Sequence, residues 1–473
     1  MLELSFWDYS IIVLYFLLLV AVGYFTKRKV HGVTDYFLAG RRLTLPLFVV
    51  TLVSTWYGGI LGVGELSFNY GFVNWLTQGF FWYLSYLFFA FFLAKRVRQS
   101  NLFTIPDLLE KFYDKKTRFL GAIFNFIMTT PAPYLLSLGI IFGLLFGWPV
   151  WAGILLGAAV VLFYTVRGGF WADVYTDFIQ FILMMTGVAL VIPFAISKFG
   201  GLSFLQANLP AEHFTLTGTW TTQMILVWGF IACWTLVDPS FYQRCYATTD
   251  SKTAKNGILI SILFWMLFDI CTTFTGMYAR AAMPMIDPTT AYAVFPAAIL
   301  PVVVRGLFFT GMLATIMSTV DSFALSSAMN LSHDIYHKVF RPQASEEKVL
   351  SMTRWGVVVA VLFALILALR FESLVAMWYT IGTIGVSALL MPMLFGFFSK
   401  RKISGHLAFA SMLLGAGTAS FWMWYGYQHL YEGWPTYIWG LEPLYSGIAV
   451  SLLILIFARI FNKQSNVVGD TAR

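Results

Sequence analysis

GMLATIMSTVDSFALSSAMNLSHDIY, residues 311–336, is the stretch on which the fold reading turns. With the apolar run beginning at Pro301 and Val302, it predicts one helix of roughly 33 residues over 302–334. At 1.5 Å per residue that helix is about 50 Å long, enough to cross a bilayer. Its middle should be as apolar as lipid, yet it carries Thr315, Ser318, Thr319, Asp321 and Ser322. Positions 315, 318, 319, 322 and 326 fall on one face, which places a hydroxyl stripe beside a carboxylate. Oxygen donors without His or Cys suit a hard cation such as Na⁺ rather than a transition metal. The competing reading is a polar seam that only holds helices together.

The rest of the chain makes the bilayer reading general. Of 473 residues, 59% are hydrophobic and 11% charged, and mean hydropathy is +0.76. Those values describe an all-α polytopic membrane protein. Apolar runs of spanning length lie at about 8–25, 45–70, 73–94, 118–146, 149–166, 173–197, 221–241, 256–280, 302–334, 352–369, 374–399, 404–427 and 442–461, thirteen in all. The net charge of +8 is not a nucleic-acid signature, because the bases sit in short clusters between apolar runs. Lys27 to Lys29, Arg41 and Arg42, Lys95 to Arg98, Lys115 to Arg118, Arg167, Arg244 to Lys255, Lys338 to Lys348, Lys400 to Lys402 and Lys463 fall in alternate loops. The intervening loops hold only scattered bases such as Lys198, Arg280 and Arg370. By the positive-inside rule the N-terminus is outside and the C-terminus inside. No base precedes the first run, so it reads as a span and not a cleavable signal. The polar tail 465–473 reads as a disordered end.

Cys233, Cys245 and Cys271 are too few for a disulfide framework. His333 and His337 are i, i+4 neighbours at a helix end and read as solvated rather than as metal ligands. Two spans carry interruptions. In 45–70, Ser54 to Gly59 is followed by Gly62 and Gly64. In 221–241, Trp228-Gly229 and Cys233 to Thr235 precede Asp238-Pro239. Paired breaks in matching places of two halves point to an inverted-repeat transporter, although the glycines also suit close helix packing. A carboxylate in lipid needs a partner, so Glu65, Asp177, Asp238, Asp269 and Asp321 stand out. Asp321 is the deepest. Asp177 suits a cap or interface, Asp238 an ion pair with Arg244, and Asp269 has no motif around it.

Three motifs carry a family resemblance: YTVRGGFWADVYTDFIQ at 164–180, the 311–336 stretch, and Asp238-Pro239-Ser240 with Gln243-Arg244. Together they resemble the sodium:solute symporter family. The resemblance implies a LeuT-type fold of five helices plus five inverted ones, over 45–199 and 221–399. One extra span lies within 1–44 and two within 400–473. It implies a main Na⁺ held by backbone oxygens of Leu52, Thr55 and Thr315 and the hydroxyls of Ser318 and Thr319. A second Na⁺ or a proton would sit among Asp177, Ser318, Asp321 and Ser322. The solute would lie between the breaks, where the candidates are Trp56, Tyr57, Gly58, Gly59, Asn125, Thr129, Trp228, Trp234, Trp378 and Tyr379. The run Thr55 to Gly59 is similar to the choline-transporter branch, whereas the Asp238 motif is similar to sugar and sialic-acid branches.

The expected protein is therefore a Na⁺-coupled symporter of the cytoplasmic membrane and not an enzyme. Its solute would be a sugar, amino acid, carboxylate or quaternary amine, and a monomer would suffice. Proton coupling through Asp177 and Asp321 is the rival. A membrane sensor module is disfavoured because no signalling domain follows the last span, and a channel because no ring-forming motif repeats.

Overall fold

Backbone polar groups in hydrocarbon must be satisfied within the chain, and long apolar runs do this as helices. The computed structural model describes residues 2–26, 30–371, 373–431 and 434–461. The expected basic cluster at Lys27 to Lys29, Lys463 and the polar tail lie outside the described residues. The helices that matter here are α1 (Phe6–Thr26), α2 (Leu45–Thr55), α3 (Ile60–Tyr70), α4 (Phe72–Ser100), α5 (Lys115–Phe146), α6 (Val150–Phe163), α7 (Gly168–Phe199), α8 (Thr222–Ala247), α9 (Ser251–Ala282), α10 (Val304–Phe340), α11 (Glu346–Ala368), α12 (Leu374–Phe398), α13 (Gly405–Gln428) and α14 (Pro443–Ile460).

Among the described residues, eleven helices are long and apolar enough to cross a bilayer. The pair α2 and α3, bent by 61°, makes a twelfth as one broken span. The thirteenth expected run, 149–166, forms α6, which is apolar but short; a kink at Gly169 (φ 54°) joins it to α7. With ψ at −149°, only glycine adopts that conformation without strain.

Helix starts follow local chemistry. Asp250 caps α9, accepting the backbone N–H groups of Lys252 (2.8 Å) and Thr253 (2.9 Å). The backbone N–H of Thr253 also holds the Asp250 carboxyl below its usual range. In α8 the winding tightens to a 3₁₀ turn over Ala232–Val237, and Asp238 is extended (φ −82°, ψ 118°) before Pro239 restarts the helix. Proline forces that extension on the residue before it. Asp238 then accepts the Ser240 N–H at 2.8 Å as a cap. The expected pairing with Arg244 is replaced by this cap, because the Arg244 side chain turns toward α7.

The polar stripe is resolved by placement. In α10, 94% of the most apolar window is buried, against 28% in α1. The helix is therefore wrapped by protein, chiefly by α7, rather than by lipid. Large apolar side chains on outer helices, among them Leu14, Trp355 and Leu453, face outward, as hydrocarbon contact requires. Beyond Met329, α10 winds as a π-helix over Asn330–Phe340. There His333 is buried with Nε2 3.2 Å from Asp107, whereas a solvated histidine was expected. Arg118 bridges Asp107 (2.7 Å) and Asp334 (2.8 Å) beside it. This ion cluster ties the start of α5 to the end of α10, and burial draws the ring in.

Candidate ion and solute site at the helix break

The last carbonyls of a helix have no partner within it and carry the negative end of its dipole. Those at the end of α2 meet α10. Ser318 Oγ lies 2.7 Å from the Ser54 carbonyl and 3.1 Å from the Thr315 carbonyl. Thr319 Oγ1 lies 3.2 Å from the same Thr315 carbonyl, while the Thr315 hydroxyl donates to Gly311. A hydroxyl that donates one hydrogen bond keeps lone pairs for a cation. Leu52 and Thr55 are buried in the same last turn. Ser54, whose carbonyl meets Ser318 here, is absent from the ligand set that the family pattern implies.

The break allows this approach. A Cβ at Gly58 would lie 2.5 Å from Thr319 Cβ and Oγ1, and one at Gly59 1.4 Å from a ring carbon of Trp378. Neither position admits a side chain without displacing a neighbour.

One turn away, a second cluster forms. Ser322 Oγ lies 2.8 Å from both carboxylate oxygens of Asp173 and 3.0 Å from Thr55 Oγ1. Asp177 accepts from Thr51, and Asp321 accepts the Ser322 N–H at 2.7 Å. Carboxylate oxygens of Asp173, Asp177 and Asp321 lie within 4.8 Å of one another. Arg244 enters this space: its Nη2 is 2.5 Å from Thr55 Oγ1, 3.0 Å from Thr51 Oγ1 and 3.0 Å from Ser322 Oγ. The same nitrogen lies 3.4 Å from Asp173 and 3.7 Å from Asp177. Ser318 makes its hydrogen bonds in the first set. Asp173 escaped the sequence reading, although its i, i+4 spacing from Asp177 placed both on one face.

On the other side of the break is a cavity of about 80 Å³. Trp56, Tyr57, Gly59, Trp228, Trp234 and Trp378 line it, as does the carboxylate of Asp269. Gly58 packs instead against Thr319 and Tyr134. Asn125 lines a separate small pocket beside Gln243, Thr129 bonds to Ser327 at 2.8 Å, and Tyr379 bonds to Glu442. Trp82, Tyr86, Tyr134 and Trp265 also form the walls, with Val63, Gln78, Ile231 and Phe323 between them. They lay in apolar runs with no mark of their own, so only packing could find them.

Buried oxygen donors and a cavity meet at a broken helix inside a multi-pass bundle, an arrangement that suits a membrane transporter. The family model for the sodium:solute symporter family matches residues 36–415, and the chain belongs to that family. It is 25% identical to the high-affinity proline transporter PutP of Bacillus subtilis (strain 168), over 96% of this chain and 98% of that protein. It is 29% identical to the high-affinity choline transporter 1 of Drosophila melanogaster, over 81% and 65%. The sodium/glucose cotransporter of Vibrio parahaemolyticus is 24% identical, over 77% and 75%. The fold is that of a solved Na⁺-coupled sialic acid symporter: TM-score 0.81 and 18% identity, covering 97% of this chain and 98% of that one. The protein is a multi-pass transporter of the plasma membrane and not an enzyme.

Proposed function

We propose that the protein imports a small organic solute together with Na⁺ by alternating access, acting as a monomer. The carrying observation is the meeting of Ser318 with the Ser54 carbonyl at the end of α2, beside the cavity. Na⁺ bridges the two helices there, held by backbone oxygens of Leu52, Thr55 and Thr315 and by the hydroxyls of Ser318 and Thr319. This bridge fixes the break in the shape that accepts solute. Rocking of 45–199 against 221–399, as inverted five-helix units, then exposes both sites to the inside. Thirteen spans with the N-terminus outside and the C-terminus inside fit this scheme. One charge crossing 100 mV supplies about 2.3 kcal/mol before any concentration term.

The contacts of Arg244 favour one Na⁺ per cycle. Its guanidinium lies among Thr51, Thr55, Ser322, Asp173 and Asp177, where a second Na⁺ or a proton was expected among Asp177, Ser318, Asp321 and Ser322. The guanidinium takes hydroxyl and carboxylate oxygens that a second Na⁺ would need. A second reading has H⁺ as the coupling ion, taken up by Asp177 and Asp321; the carboxylate cluster favours it. Proteoliposome uptake decides between them. Uptake driven by a Na⁺ gradient is expected, and uptake driven by external acid without Na⁺ would replace Na⁺ with H⁺.

A further inference from the structure

Asp269 carries a further inference. It sits on α9, is 3% exposed and lines the cavity. The Tyr57 hydroxyl donates to its Oδ1 and the Tyr83 hydroxyl to its Oδ2. Among the described residues no Lys, Arg or His lines the cavity, and Asp269 has no ion-pair partner. A buried carboxylate without a counter-cation is costly, even with two hydroxyl donors. A cation entering the cavity would supply the missing positive charge.

The walls say what kind of charge. Six of the fifteen lining residues are Trp, against 17 in 473 residues overall, so the enrichment belongs to the cavity and not to membrane composition. Trp56 and Trp82 stand edge to face, ring centres 5.3 Å apart at 69°, giving two crossed aromatic walls. Aromatic faces attract cations but accept hydrogen bonds poorly, which suits an alkylated ammonium over a primary one. A cavity of about 80 Å³ suits a small molecule.

We infer that the transported solute is a small quaternary or tertiary ammonium compound, with Asp269 as its counter-charge. The inference rests on the cavity being the solute site. It also assigns Tyr57 and Tyr83 the task of orienting that carboxylate.

The test uses the purified full chain in detergent, with thermal shift in NaCl and in KCl. The probes are choline, glycine betaine, the uncharged choline isostere 3,3-dimethyl-1-butanol, proline and glucose. Choline or glycine betaine should stabilise the protein in NaCl, and the isostere should not. D269N should weaken that binding on the order of 100-fold while its melting temperature in KCl is not lowered. D269E, which keeps the charge, guards against misfolding of the first variant and should retain measurable binding. Equal binding of the isostere, stabilisation by proline or glucose alone, or full choline binding by folded D269N would overturn the assignment. A shift with Na⁺ alone that S318A abolishes separates the two levels. If it is seen without any response to choline or betaine, the ammonium assignment fails and the symport reading stands. If it is missing too, both fail.

Discussion

Replacing Ser318 by Ala removes one oxygen from the proposed Na⁺ site and leaves the helix otherwise intact. Ser318 Oγ is 2.7 Å from the Ser54 carbonyl and 3.1 Å from the Thr315 carbonyl, so its loss acts on α2 and α10 together. A buried contact to a charged partner contributes about 1.5–3 kcal/mol. At 1.36 kcal/mol per tenfold, S318A should raise the Na⁺ concentration for half-maximal uptake about 10- to 150-fold. A merely structural hydroxyl would instead cost about 0.5–1.5 kcal/mol of stability, whatever the salt. The assay is Na⁺-dependent uptake in proteoliposomes, with melting temperatures in KCl as the fold control. A Na⁺ requirement within twofold of the parent, with a lowered melting temperature in KCl, would refute the ligand role and leave Ser318 as structural glue.

Three further outcomes follow from the geometry. R244Q should convert hyperbolic Na⁺ activation to sigmoidal, as a second Na⁺ enters among Asp173, Asp177 and Ser322; unchanged hyperbolic activation in a folded variant would refute the tethered-cation reading. G59A would drive a methyl group into Trp378, and overpacking of this kind costs about 1–3 kcal/mol. Its effect should appear as a raised solute KM more than as altered Na⁺ affinity, read from the same uptake assay. His213, in the loop before α8, has Nε2 3.2 Å from the Phe68 carbonyl at the end of α3, and burial lowers its pKa. The unfolded chain therefore binds the proton more readily, so stability is full above the reference value near 6.5 and falls as pH drops below it. Melting temperature measured from pH 7.5 to 5 should decline more steeply in the parent than in H213N.

The amino-acid sequence by itself determined the class of this protein. Hydropathy and charge spacing made it a bundle of membrane helices, and Ser54 to Gly59 with Asp238-Pro239 marked both interruptions, because glycine and proline act on the backbone locally. The motifs at 164–180 and 311–336 pointed to the sodium:solute symporter family, to which the chain belongs. Tertiary structure decided what each polar side chain faces. Asp269, unassigned in the sequence, lines the cavity because Tyr57 and Tyr83 arrive from other helices. Arg244 sits six residues from Asp238 in the chain, yet its charge serves Asp173 and Asp177 on α7. His333 looked solvated at a helix end and is buried against Asp107. Periodicity tells which face of a helix a residue occupies. It does not tell which helix that face will meet, and in a bundle of this size that pairing sets the chemistry of every buried charge.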